Sequence, residues 1–181
     1  MKHLFVIFLL LTPAGVYGFT GVFLGWESFS NPAVPLDSQA DNLSVGIIGS
    51  TPTRIYFYYN LLGKFVFTRG ASSGNLGWGM DMGAGIGYRF MNAAYKRSGW
   101  DLGMDLFGYF NPYFLNSETG YTDTVLYYGV GLGFNSIYKI NPHIGVGLRA
   151  ALKYNIGIKH LSSKQSDQGG ILFTIGALLT F

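Results

Sequence analysis

From Leu76 to Phe90 the chain alternates without a slip. Leu76, Trp78, Met80, Met82, Ala84, Ile86, Tyr88 and Phe90 fall on one side, and Gly77, Gly79, Asp81, Gly83, Gly85, Gly87 and Arg89 on the other. A strand sends successive side chains to opposite faces, so a period of two sustained this long requires an extended segment between two different surroundings. The same phase recurs at Trp100, Leu102, Met104 and Leu106 against Asp101, Gly103, Asp105 and Phe107. It recurs again from Ile144 to Ile158 against Gly145 to Lys159.

Breaks at Pro, Gly, Asn and Ser clusters divide the chain into eight predicted strands, at 19–29, 43–50, 54–68, 76–90, 99–114, 122–138, 143–159 and 170–181. Phe23 and Ile48 blur the alternation in the first two. Polar loops at 30–42, 69–75, 115–121 and 160–169 alternate with turns at 51–53, 91–98 and 139–142, and the turn at 91–98 is long for its class. An even number of strands with long loops at one end and short turns at the other is the pattern of an antiparallel up-and-down barrel. The expected fold class is therefore all-β, an eight-stranded transmembrane β-barrel.

The question is which face points outward, since a soluble barrel also alternates. On these phases Glu27, Arg54, Lys64, Asp81, Arg89, Asp101, Asp105, Asp123, Lys139, Arg149, Lys153 and Lys159 share the face rich in glycine. Glycine weakens a strand facing water, but it makes room inside a narrow closed barrel. Only 12% of the residues are charged, against about 25% in soluble domains, so the apolar face is expected to meet lipid. Trp78 with Tyr88, Trp100 with Phe110, Tyr128 with Tyr138 and Phe173 with Phe181 recur at eight to ten residues. Ten tilted residues cover roughly 26 Å, near the ~25 Å apolar band of such barrels.

Met1-Lys2-His3, the apolar run Leu4 to Leu11 and the small residues near Val16-Tyr17-Gly18 have the form of a cleavable signal peptide. The expected organisation is a leader at 1–18 and a barrel domain at 19–181. The formal charge of +3 is scattered without a basic run, which gives nucleic-acid binding no support. With no cysteine, disulfides and thiolate chemistry are excluded.

The mature chain resembles the small outer-membrane barrels of the OmpA, OmpX and OmpW kind. Two features carry the resemblance: Gly83-Ala84-Gly85-Ile86-Gly87-Tyr88-Arg89-Phe90, and the final strand, in which Phe173, Ile175, Ala177, Leu179 and Phe181 alternate with Thr174, Gly176, Leu178 and Thr180. It implies a bacterial outer-membrane location, lipid around the barrel, and an assembly signal ending in Phe181 that the barrel-insertion machinery reads. OmpW-like members are associated with passage of small hydrophobic compounds.

No catalytic site, metal site or cofactor is expected. The glycine run at 83–87 lacks the phosphate-binding spacing and a following helix. His143 and His160 fall at opposite ends of one strand, and His160 beside Ser162 and Ser163 is an acyltransferase-like grouping that a polar loop also produces. Asp81, Asp101, Asp105 and Asp123 are expected to pair with Arg89, Arg149 and Lys153 in a lumen network, because an unpaired charge in a crowded interior costs several kcal/mol; the other reading is a narrow aqueous path. Phe107, Tyr109, Tyr113, Val125 and Tyr127 are expected to cluster in the outer lumen. There they either hold a small hydrophobic ligand or fill the space left by Gly77, Gly79, Gly129 and Gly131. The expected function is a narrow or plugged barrel that admits or binds small hydrophobic molecules; the alternative is a surface-interaction protein whose loops at 30–42 and 160–169 contact host or matrix molecules.

Overall fold

The computed structural model describes residues 19–30, 40–68, 77–93, 98–116, 122–160, 166–167 and 170–181. The leader at 1–18, Ser162 and Ser163 lie outside them. So do the side chains of Asp123, Val125, Lys159 and His160.

Eight long strands form the wall: β1 (Phe19–Ser30), β2 (Ala40–Ser50), β3 (Ile55–Thr68), β4 (Gly77–Met91), β5 (Gly99–Asn116), β6 (Thr122–Lys139), β7 (Gly145–His160) and β9 (Gly170–Thr180). A two-residue strand, β8 (Ser166–Asp167), adds to the outer end of β7. Each long strand pairs antiparallel with its neighbours, and β1 pairs with β9, so the sheet closes without an edge. Closure is what lets a β-structure cross lipid, since no backbone group is left unpaired.

The register fixes the shape. Phe19 pairs with Ser50, and one circuit runs on through Tyr58, Gly85, Phe107, Gly131, Lys153 and Leu172 to Phe29. The circuit closes ten residues above its start. That offset at ~3.4 Å per residue, over eight strands ~4.8 Å apart, tilts the strands by about 40°.

The alternation sorts the side chains as the sequence predicts, and it resolves β1 and β2. Phe23 and Ile48 point inward and are buried, while Val22, Leu24, Val45 and Ile47 are exposed outside. The outer face carries two aromatic belts. Near the loop end Trp78 stacks on Phe114 (4.3 Å) and Trp26 lies parallel to Phe67 (6.5 Å). Near the turn end Trp100 meets Tyr138 edge-on (5.3 Å) and Tyr88 meets Phe90 (5.6 Å).

Three local features depart from the predicted pattern. The second strand begins at Ala40 instead of 43, because the polar Asn42 is a lumen residue and not part of a loop. A bulge between Arg89 and Met91 leaves Phe90 and Met91 both exposed, in keeping with the tendency of bulges to re-aim side chains. Arg54, expected inward, instead lies exposed in the turn before β3, with its guanidinium 5.3 Å from the centroid of the outward Tyr88 ring.

Candidate functional site: the lumen

Inward side chains from all eight long strands meet in the lumen. Ordered along β5 and β7 from the turn end to the loop end, they make three charged tiers separated by aromatic rings.

The innermost tier is Arg89 on β4 with Asp101 on β5 (Nε to Oδ1, 3.0 Å). The same guanidinium donates to the Thr51 and Thr53 carbonyls (2.6 Å each) and to Ser50 Oγ (2.5 Å), so it ties down the β2–β3 turn from inside. Its flat face lies over the Tyr56 ring at 4.4 Å.

In the middle tier Arg149 on β7 grips Asp105 on β5 with two parallel hydrogen bonds of 2.7 and 2.8 Å. That fork-to-fork geometry is the strong form of an ion pair. Asn135 and Tyr56 complete the carboxylate's shell by donating to Oδ2 at 2.7 and 3.0 Å. Arg149 stacks over Tyr58 at 4.2 Å, and Phe107 packs against the same Tyr58 with centroids 5.2 Å apart.

The outer tier is a closed ring of four charges: Glu27 on β1, Lys64 on β3, Asp81 on β4 and Lys153 on β7. Lys64 pairs with Glu27 and with Asp81 (3.3 Å), and Lys153 pairs with Glu27 (2.7 Å) and with Asp81. β3 and β7 stand opposite each other in the eight-strand order, so the ring crosses the full width of the lumen. Thr174 donates to Glu27 (2.9 Å), and Tyr113 donates to Glu27 (3.1 Å) while accepting from Lys64 (3.0 Å). Asn111, with its amide turned to suit its neighbours, donates to Asp81 (3.0 Å) and accepts from Lys64 (3.1 Å). Two cations and two carboxylates make the ring neutral. Glu27 and Asp81 are 0% exposed, Lys64 1% and Lys153 3%, so all four members are buried.

Of the predicted site residues, Asp81 and Lys153 therefore belong to one tier, Asp105 and Arg149 to the second, and Arg89 and Asp101 to the third. Glu27 and Lys64 complete the outer ring. Sequence reasoning placed both on the lumen face without naming them as members, and their inward phase was the available signal.

The predicted aromatic group is spread over several levels. Phe107 packs at the middle tier, with its ring over Gly131, and the Tyr109 hydroxyl bonds Asn155. Tyr113 joins the outer ring and meets Tyr127 edge-on at 5.1 Å. The large lumen rings lie over glycines of adjacent strands, as Tyr113 does over Gly79, where a side chain's Cβ would meet the ring at 2.8 Å. Glycine on this face is thus a packing requirement. The final strand's Phe181 lies on the outer face, and its N–H donates to the Thr20 carbonyl (2.9 Å).

No protein-family model matches the sequence, and no curated protein matches it either. Among solved structures, the crystal structure of Neisserial surface protein A (NspA) superposes with a TM-score of 0.65 at 12% sequence identity, covering 90% of this chain and 96% of that one. At that identity the likeness concerns the fold, and the fold it establishes for this chain is the closed, eight-stranded antiparallel β-barrel found in NspA.

Proposed function

We propose that this protein is a bacterial outer-membrane barrel, closed through its lumen and non-enzymatic, that works at the cell surface through the loops joining its strands at the outer end. The observation that carries the reading is the neutral Glu27–Lys64–Asp81–Lys153 ring, which spans the lumen and is buried from solvent. A passage for polar solutes needs hydrated charges along its axis, whereas these charges use their bonding capacity on one another. The exposed apolar band between two aromatic belts supports a surrounding of lipid. The barrel-insertion machinery then delivers the chain to the outer membrane. NspA is by name a surface protein, which accords with a role for the outer loops, at 31–39, 69–76, 117–121 and 161–165, in contacting host or matrix molecules.

Purified protein in a planar bilayer tests the closed lumen: the expected trace shows no steady conductance, and a stable open level overturns it. Deleting residues 31–39 and 161–165, which lie between the strands, is expected to abolish binding of cells to host surfaces while leaving the barrel folded. Unchanged binding would remove the surface role.

A second reading, binding of small hydrophobic molecules, is favoured by one observation. Tyr127 is partly exposed and stands edge-on to Tyr113 on the loop side of the charged ring. A ligand there would be held at the outer mouth and not passed along the axis. Protein-loaded liposomes that swell no faster than empty ones but retain a hydrophobic fluorophore in a Tyr127-dependent way would support it.

A further inference from the structure

Among the residues with described side chains, ten of the eleven Asp, Glu, Lys and Arg groups are buried, and Arg54 alone is exposed. We propose that Arg54 marks a binding site for the headgroup of an anionic phospholipid in the inner leaflet of the membrane; this inference rests on the membrane-spanning reading above.

The residue is held in a defined place. Its carbonyl accepts from the Arg89 N–H (2.8 Å), and the Arg89 guanidinium inside the barrel bonds the Thr51 and Thr53 carbonyls of the same turn. The turn is therefore fixed from the lumen side while its one cation faces outward. No carboxylate among the described residues pairs with Arg54. One face of the guanidinium covers the Tyr88 ring, which leaves its N–H edge free to donate to phosphate oxygens in the forked geometry arginine provides.

Depth identifies the partner. Tyr88 belongs to the inner aromatic belt, ten residues and roughly 26 Å below Trp78 of the outer belt. A cation at that level sits where lipid phosphates lie, and a long side chain snorkels there. Beside it Ile55, Phe90 and Met91 are exposed. The bulge at Arg89/Met91 supplies the second of two consecutive outward apolar residues, which gives the lipid's glycerol and upper acyl chain a greasy seat next to the cation.

Trp100 lies in the same belt, two residues before Leu102, the partner of Met91. A W26F/W78F variant leaves it as the only tryptophan. Inserted into vesicles of brominated phosphatidylglycerol mixed with phosphatidylcholine, and the converse mixture, Trp100 quenching reads the relative occupancy of the two lipids. Wild-type Arg54 is expected to favour the anionic lipid about five-fold at low salt. R54Q is expected to bring the ratio near unity, and R54K to keep part of it. Because Arg54 is exposed, R54Q should fold normally. Equal quenching by both lipids in the wild type, or an unchanged preference in R54Q, overturns the site while the membrane reading stands. No quenching by either lipid overturns both.

Discussion

Removing Lys153 tests whether the outer ring is held by its charges. Lys153 donates to Glu27 (2.7 Å) and pairs with Asp81, and both carboxylates are wholly buried. In Lys153→Met the methionine fills much the same volume, but Glu27 and Asp81 must share Lys64 alone, leaving one uncompensated negative charge away from water. Breaking a buried pair in this way costs about 3–5 kcal/mol. Adding Asp81→Asn restores neutrality: the remaining Glu27–Lys64 pair is intact, and the amide can still accept from Asn60, which donates to Asp81 at 3.1 Å. The double variant is therefore expected to be the more stable of the two, with a recovery of about 2 kcal/mol, inside the range measured for coupled neighbours.

The assay is reversible urea unfolding from lipid vesicles, followed by tryptophan emission and by the mobility of unheated samples in gels. Trp26, Trp78 and Trp100 all lie on the outer face, so their emission reports loss of the lipid contact. A loss below about 1 kcal/mol in Lys153→Met, or a double variant as unstable as the two single losses added together, would refute the reasoning. Either result would mean that water enters the lumen and solvates the carboxylates individually.

Gly85→Ala places a Cβ 2.5 Å from the Phe107 Cα, a backbone atom that cannot move aside, and is expected to lose about 1–3 kcal/mol in the same assay; Gly63→Ala, whose nearest neighbour is the Val45 carbonyl at 3.7 Å, should stay within about 0.5 kcal/mol. Equal effects at the two positions would contradict the packing account of lumen glycine. Leu148→Arg puts a charge on the outer band at a site 59% exposed and is expected to lower stability in vesicles by about 2–4 kcal/mol; no change would place that face in water. Tyr56→Phe removes one of the donors to Asp105 and should cost about 1.5–3 kcal/mol, the range for a bond to a charged group, with Asn135 and Arg149 left to hold the carboxylate.

Much of the fold is legible because two surroundings write a period of two into every strand. On the proposed membrane reading, lipid outside selects residues such as Leu106 and Ile86, both exposed on the outer face, and a crowded lumen selects glycine or a paired charge. Polarity alone misleads at the ends of strands. Asn42 reads as loop because it is polar, yet it lies in the lumen and donates to Glu27 and Tyr113. Arg54 reads as lumen by phase, yet it precedes the first paired residue of β3, where alternation no longer binds it.

The identity of the ion-pair partners is a different kind of information. Counting phases places Glu27, Lys64, Asp81 and Lys153 on one face, but it cannot say that they share a level. That depends on the ten-residue stagger, which accumulates strand by strand and sets depth around the whole circuit. A barrel staggered differently would keep every residue on its present face and still bring different charges together. Asp101 and Arg89 escape this limit because they sit on adjacent strands joined by one turn, where register is local. The lumen ring is thus a property of closure, written into no single strand, and the pairing of Lys153 with residues 126 and 72 positions away depends on the same geometry that closes the wall.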